Sequence, residues 1–323
     1  YTMTVSKKNT VLVYDTTLRD GSQGEGVNFS LEDKLRLVKA LDDLGVHYVE
    51  GGWPGSNPKD IGFFDAMRKV KLSHAKLTAF GSTRSAGNKA SADPNLKSLL
   101  KAEPDVACIF GKAWDFHVTD ALRVSLEENL DMIASYIAFL KKRLGEAFFD
   151  AEHFFDGFKR NPEYAMSTLE HALQAGAGAV VLCDTNGGTL VHEVVDIVDQ
   201  VCARFPTALV GIHCHNDGNM AVANSVEAVR HGARMVQGCM NGFGERTGNA
   251  DLCSVVPLLE LRCGMHCIGP KKLRKLTNAS RFTYGLANLG RRDHQPFVGD
   301  SAFAHKGGIH VSAMARNDMT YEA

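Results

Sequence analysis

The pattern that most constrains the fold is the alternation of short apolar runs with segments of helical periodicity. Eight such runs, rich in β-branched and aromatic residues, lie at 11–14, 48–51, 77–81, 106–110, 147–151, 179–183, 209–212 and 235–238. Between them, apolar residues recur with a period near 3.6, which predicts helices over 31–44 and 126–144. Ser30 is expected to cap the first helix, and Pro162 to stand at the first position of another. A strand followed by a helix about every 30 residues predicts parallel strands joined by right-handed crossovers.

Eight strand–helix units between residues 10 and 264 fill about 255 residues, which is the usual size of a TIM barrel. A doubly wound open sheet is the alternative architecture. No G-x-G-x-x-G follows the first strand, and polar residues follow many of the strands, so the barrel is favoured. We therefore predict an α/β fold with a TIM-barrel catalytic domain over 1–269 and a small helical subdomain over 270–323. In that subdomain we expect a basic amphipathic helix over 271–289, a loop over 290–296 and a glycine-rich stretch over 303–310.

The net charge indicates what kind of partner the protein binds, and the cysteine pattern indicates its compartment. The 323 residues carry a formal net charge of -1, so no basic field favours nucleic acid or acidic lipid, and we expect small-molecule substrates. The eight cysteines form no CxxC pair, which indicates reduced, buried thiols in a cytoplasmic protein. No apolar run approaches the roughly 18 to 20 residues of a membrane span, so no membrane association is expected.

Charged and polar side chains follow six of the predicted strands. In a barrel, the site is built at the carboxyl ends of the strands, so these side chains are expected to converge. They are Arg19 and Asp20 after the first strand, Glu50 on the second, Glu152 and His153 after the fifth, 184–186 after the sixth, His213 and His215 on the seventh, and 241–249 after the eighth.

His213 and His215 stand two apart on a strand, so both imidazoles face one side. Together with an aspartate such as Asp20 they form the ligand set expected of a divalent cation, and oxygen plus imidazole donors suit Mg, Mn, Zn or Fe better than Ca. The alternative is that both are core histidines, each satisfied by its neighbours.

Five segments together resemble the DRE-TIM family of metal-dependent acyl-CoA enzymes. They are 15–23, 50–58, 213–217, 242–249 and 305–310, and the resemblance spans nearly the whole chain. It is closest to the Claisen-condensing branch, which includes isopropylmalate, homocitrate and citramalate synthases. The lyase branch of the family, which includes HMG-CoA lyase, carries a catalytic cysteine in a mobile loop after the eighth strand. Here that loop has the condensing-branch sequence, so Cys239 is expected to be a buried thiol at the end of the strand.

The resemblance implies a role for each matching residue. Asp20, His213, His215 and Asn249 would hold a divalent metal (Mg, Mn or Zn). Arg19 would orient an α-keto acid and stabilise the alkoxide that develops on it, and Glu152 would match the family's active-site glutamate. Thr185 would bind the keto acid carboxylate, with Gln23 and Asn186 completing the substrate-binding set.

Condensation also needs a base that removes a proton from the methyl group of acetyl-CoA. In condensing relatives a histidine from the segment after the barrel is supplied by the neighbouring subunit, which makes His310 the first choice and His305 the second. The resemblance thus implies a homodimer. The alternative is that both histidines serve dimer contacts alone.

The opening motifs look most like those of bacterial citramalate synthases, which join acetyl-CoA to pyruvate; isopropylmalate or homocitrate synthase is the alternative. Four large rings stand near the ends of the third to fifth strands, namely Phe80, Phe110, Trp114 and Phe149. Rings around a small pocket leave room for a methyl more readily than for an isopropyl group. We therefore expect pyruvate to be preferred over 2-oxoisovalerate.

Overall fold

The strands close into a barrel. The computed structural model describes residues 9–304, 306–317 and 320. Eight parallel strands pair in sequence order, β1 with β2 and so on, and β8 pairs back with β1. They are β1 (Leu12–Asp15), β2 (Tyr48–Gly52), β3 (Lys76–Ser82), β4 (Val106–Lys112), β5 (Ala147–Glu152), β6 (Ala179–Asp184), β7 (Val210–Cys214) and β8 (Met235–Gly238). The predicted TIM barrel and all eight of its strands are confirmed.

Helices surround the barrel. They are α1 (Leu31–Leu44), α2 (Pro58–Met67), α3 (Pro94–Lys101), α4 (Leu126–Leu144), α5 (Phe154–Arg160), α6 (Pro162–Gln174), α7 (Val191–Arg204), α8 (Ala221–Arg230), α9 (Leu252–Leu261), α10 (Pro270–Leu273), α11 (Leu276–Leu286) and α12 (Gly308–Arg316). The predicted bounds of α1 and α4 are confirmed, as is Ser30 as the N-cap of α1, where its hydroxyl accepts from Asp33 N–H. Pro162 stands at the start of α6. No helix in the described part of the chain is long and apolar enough to cross a membrane.

Side chains alternate between the inside and the outside of the barrel. On β4 and β5, Cys108 and Phe148 belong to the interior layer, whereas Ile109 and Phe149 pack outward in the layer shared with the helices. Because successive residues of a strand face opposite sides, Asp150 and Glu152 lie on the same inner face as Phe148. The polar end of β5 therefore opens into the mouth of the barrel.

The segment after the barrel differs from the prediction in one respect. Instead of one helix over 271–289, the chain forms two: α10 ends at Leu273 and α11 begins at Leu276. Residues 274 and 275 form a turn between them. The chain stops being helical before Leu289, since Asn288 adopts a left-handed backbone with φ 54°. α11 is tied to the loop after β8 through Ser280, whose hydroxyl and carbonyl both bond the side chain of Asn241.

All eight cysteines are free, and six of them are buried, as the sequence predicts. Cys239 is fully buried, with its Sγ 3.1 Å from the hydroxyl oxygen of Thr16. Burial and the nearby carboxylates raise the pKa of its thiol well above the ordinary value. The prediction that Cys239 is a buried thiol at the end of β8 is therefore confirmed. A protonated, enclosed thiol does not suit a lyase-type catalytic cysteine.

Candidate active site

The candidate site is a cavity of about 200 Å³ at the carboxyl mouth of the barrel. Its walls come from the ends of all eight strands or the loops that follow them, which is where a TIM barrel builds its site. The lining residues are Arg19, Asp20, Gln23, Trp53, Phe80, Phe110, Asp150, Glu152, Cys183, Thr185, His213, His215, Glu245 and Arg246. The wall combines charged groups with three aromatic rings.

Asp20, His213 and His215 form the charged centre. They are buried, and one possible ligand atom of each lies within 4.8 Å of the others. The Nε2 atom of His213 is 3.3 Å from Asp20 Oδ2 and 3.4 Å from His215 Nε2. Two imidazoles and a carboxylate thus face one point. The i, i+2 spacing predicted this for the two imidazoles, although His215 lies one residue beyond the end of β7.

Two buried polar atoms of the expected metal ligands have no hydrogen-bond partner among the described residues: Nδ1 of His215 and Oδ1 of Asn249. Asn249 pairs with His215 through an isolated backbone bridge, and its amide nitrogen donates to Phe243 O at 3.1 Å. Buried polar groups without a partner are uncommon, and the Oδ1 atom of Asn249 is available to an ion or a water molecule. One carboxylate, two imidazoles and an amide oxygen fit a divalent cation such as Mg, Mn or Zn.

The protonation states also suit a cation. Burial raises the pKa of Asp20, but the charge of Arg19 and the contact with His213 outweigh it and hold this pKa far below the usual range. Burial, and then the proximity of His213, lower the pKa of His215 to about 3, so this imidazole is neutral. Burial opposes the charged form of His213, but the hydrogen bond and charge of Asp20 raise its pKa. The carboxylate of Asp20 would favour a cation bound at this centre, and the cation would compete with a proton for Nε2 of His213.

Arg19 is fixed on three sides. Its Nε donates to Glu50 Oε1 at 2.6 Å, its Nη1 lies 3.3 Å from Asp20 Oδ2, and its guanidinium carbon sits 3.7 Å above the ring centroid of Phe80. Glu50 is fully buried and also accepts from the hydroxyl of Tyr14 at 2.7 Å. The guanidinium therefore presents a fixed positive edge beside the metal centre.

The other expected site residues divide into two groups. Gln23, Glu152 and Thr185 line the cavity, and Glu152 forms an ion pair with Lys112. The hydroxyl oxygen of Thr185 accepts from His153 N–H at 2.9 Å, so its own hydrogen can be donated to a ligand. Asn186 does not line this cavity: it is exposed, and its amide donates to Asp156 at 2.9 Å.

The two histidines expected as bases lie outside this cavity or outside the described residues. His310 is exposed on α12 and is not among the residues that line the cavity of its own chain. His305 falls outside the described residues. Their proposed role in a neighbouring site stays a prediction.

The aromatic wall corrects the expected set of rings. Phe80 and Phe110 line the cavity, but Phe149 faces the helices and Trp114 packs on Phe116 and His117 instead. The third ring is Trp53, in edge contact with both Phe80 and Phe110 at centroid distances of 5.8 and 5.5 Å. Trp53 was missed in the sequence analysis because the rings of the pocket were expected near the ends of the third to fifth strands, whereas Trp53 follows β2. Asp150 was also missed, although its i, i+2 spacing to Glu152 predicts that both face the cavity.

This fold and this donor set define a TIM-barrel protein with a candidate divalent-metal centre at its carboxyl mouth. The chain belongs to the HMGL-like family, whose model matches residues 10–282. Five (R)-citramalate synthases are 47–58% identical to it; that of Geobacter sulfurreducens is 58% identical over 97% of this chain and 59% of its own length. The 2-isopropylmalate synthase of Caulobacter vibrioides is more distant, at 32% identity over 98% of this chain and 60% of its own. The chain thus spans about three-fifths of the length of these relatives.

A solved structure supports the fold independently. The HMG-CoA lyase of Bacillus subtilis superposes with a TM-score of 0.74 at 22% identity, covering 88% of this chain and 96% of that one. At this identity the likeness concerns the barrel architecture alone.

Proposed function

We propose that this chain is the catalytic part of an enzyme that condenses acetyl-CoA with pyruvate to give citramalate and free CoA. The observation that carries the proposal is the identity of 47–58% to five (R)-citramalate synthases over at least 96% of the chain, whereas the 2-isopropylmalate synthases found are 32% identical. The cavity supports it, because a carboxylate, two imidazoles and a guanidinium stand together in a space suited to a small α-keto acid.

In this proposal the keto acid lies between Arg19 and Thr185. A divalent cation held by Asp20, His213, His215 and Asn249 would polarise the ketone of the substrate. Thr185 would donate its hydroxyl hydrogen to the substrate carboxylate, with Gln23 beside it. As the new carbon–carbon bond forms, negative charge develops on the former ketone oxygen, and the fixed guanidinium of Arg19 stabilises it without having to reorient.

The proton balance needs a base and a water molecule. A base removes a proton from the acetyl methyl, the resulting carbon nucleophile attacks the ketone carbon, and the alkoxide is protonated. Water then hydrolyses the thioester and releases the CoA thiol. We propose His310 of a neighbouring subunit as the base, since the only described histidines that line the cavity are the two metal-ligand candidates. Glu152, held by Lys112, would position the reacting groups.

The pocket size favours pyruvate as the acceptor. Trp53, Phe80 and Phe110 pack on one another through edge and stacked contacts, so their rings cannot move apart independently. The extra methyl groups of 2-oxoisovalerate would have to displace them, at a cost of roughly 1 to 3 kcal/mol. We expect a cytoplasmic location, because eight free thiols are typical of a reducing compartment.

The proposal is tested with the purified 323-residue chain in a thiol-release assay. Acetyl-CoA and pyruvate should give CoA and citramalate in equal amounts, release should stop after chelation, and Mg, Mn or Zn should restore it. Asp20→Asn should abolish both metal binding and release, whereas Asp33→Asn, which changes only the exposed capping box of α1, should leave them unchanged. Release that is equal with and without metal would contradict the proposal.

A further inference from the structure

A buried polar chain runs through the barrel interior behind the metal centre. It joins His213 on β7 to Gln237 on β8 and then to Asp150 on β5. Gln237 is fully buried and stands opposite His213 in the register of the two strands. Gln237 does not line the cavity, and His213 is the only candidate ligand among the described residues that is hydrogen-bonded to it, so the proposed reaction gives it no direct part.

The geometry fixes which end of the Gln237 amide faces which partner. Its Nε2 lies 2.9 Å from Asp150 Oδ1, so the NH₂ end of the amide faces Asp150 and donates a hydrogen bond to this oxygen. Cys108 adds a second donor to the same carboxylate oxygen at 3.1 Å. The carbonyl end, Oε1, is then the atom that lies 2.9 Å from His213 Nδ1.

A carbonyl oxygen beside Nδ1 requires that this nitrogen carry a hydrogen. In the neutral imidazole the lone pair is then on Nε2, the atom that faces Asp20 and His215. The reverse amide orientation would direct an N–H at Nδ1 and favour a hydrogen on Nε2, where it would block a cation. Asp150 orients the amide of Gln237, and this amide in turn determines that the lone pair of His213 lies on Nε2, the nitrogen that faces the metal centre.

We propose that Gln237, oriented by Asp150, is a positioning residue that sets the tautomer and ring orientation of His213 for metal binding. The inference rests on the metal centre of the proposed function. It assigns Gln237 an effect on metal affinity, and through it on activity at limiting metal, but no contact with substrate.

The test is a metal titration of the purified chain, by calorimetry or by competition with a chelating dye. Gln237→Met keeps the size of the side chain but removes the acceptor, and metal affinity should fall about 10- to 100-fold. With saturating metal, kcat should return to within about threefold of the parent, because no substrate contact is lost. Asp33→Asn is the control: it changes only the exposed capping box of α1 and should leave metal affinity unchanged.

A second variant covers the case in which Gln237→Met does not fold. The double substitution Asp150→Asn with Gln237→Glu exchanges the carboxylate and the carboxamide, keeps the total charge, and still places an acceptor at His213 Nδ1. It should bind metal within about threefold of the parent. Parental affinity in Gln237→Met, or a tenfold loss in the exchanged pair, would overturn the inference. If the parent itself binds no metal, the proposed metal centre fails instead.

Discussion

At the scale of single residues, three contacts fix the guanidinium of Arg19 at the mouth of the barrel. Its bond to Glu50 and its stacking on Phe80 both use the planar guanidinium, which a lysine ammonium cannot reproduce. We expect Arg19→Lys to lower kcat/KM for pyruvate about 100- to 1,000-fold, the usual cost of removing one group that stabilises a developing oxyanion. Steady-state thiol release checks this, and a variant within fivefold of the parent would exclude Arg19 from the proposed role.

The lowered pKa of His47 predicts how the free energy of unfolding depends on pH. Its Nδ1 accepts from Val13 N–H at 3.1 Å, and burial, followed by His74, His266 and Lys272, lowers its pKa to about 4. An unfolded histidine has a pKa of about 6.5, so between pH 6.5 and 4 the unfolded chain binds a proton that the folded chain does not. Stability should therefore fall as the pH is lowered through this window, by at most about 1.4 kcal/mol per pH unit for this group.

Urea unfolding at pH 7.5, 6 and 5 measures the effect. His47→Asn keeps an acceptor near Nδ1 but does not titrate, so it should lose less stability than the parent between pH 7.5 and 5. His192→Asn, at an exposed position of α7, should follow the parent. Identical pH profiles for the parent and His47→Asn would show that His47 does not carry the dependence.

The sequence predicted only in part which side chains at the strand ends face the cavity. The spacing of His213 and His215 predicted their convergence, because a strand has a fixed period of two. The same period places Phe149 on the side of β5 opposite Asp150 and Glu152. The prediction that Phe149 lies near the pocket therefore disagreed with the alternation of side chains along this strand. Trp53 and Asn186 follow strands on loops, where no period determines which way a side chain points.

At the scale of elements, α5 packs so closely on the segment after β4 that only glycine fits at 157. A Cβ there would lie 2.4 Å from Ala113 O and 2.9 Å from Trp114 Cα, and neither backbone atom can rotate away. We expect Gly157→Ala to destabilise the protein by about 1 to 3 kcal/mol. Denaturant unfolding measures the change.

Gly62 of α2 is the matched control, because it is also a helical glycine but has nothing within 4 Å of an added Cβ. Gly62→Ala should stabilise the protein by about 0.4 to 1 kcal/mol, since alanine reduces the freedom of the unfolded chain. Equal effects at the two positions would refute the packing argument for α5.

Elements with a strong local signal were predicted well. α1 and α4 have a regular apolar face with an N-capping serine and a C-terminal glycine, so their bounds follow from local chemistry. The region after the barrel lacks such signals between 271 and 289, and α11 is held there by hydrogen bonds between Ser280 and Asn241 of the loop after β8. Tertiary contacts of this kind cannot be derived from the periodicity of one segment.

At the scale of the whole molecule, the proposed base requires two subunits. His310→Ala and Asp20→Ala should each be inactive alone. If His310 acts in the neighbouring site, coexpressed subunits should form hybrid dimers with one intact site, giving about a quarter of the parental activity by statistical mixing. A mixture as inactive as either variant, from subunits shown to exchange, would mean that His310 does not act across subunits.

The most direct measurement of the central claim is the ratio of kcat/KM for pyruvate to that for 2-oxoisovalerate, with saturating acetyl-CoA and metal. The packed wall of Trp53, Phe80 and Phe110 predicts a ratio of about 10 to 150 in favour of pyruvate. A ratio of one, or a preference for 2-oxoisovalerate, would contradict the proposed function and favour an isopropylmalate-forming enzyme.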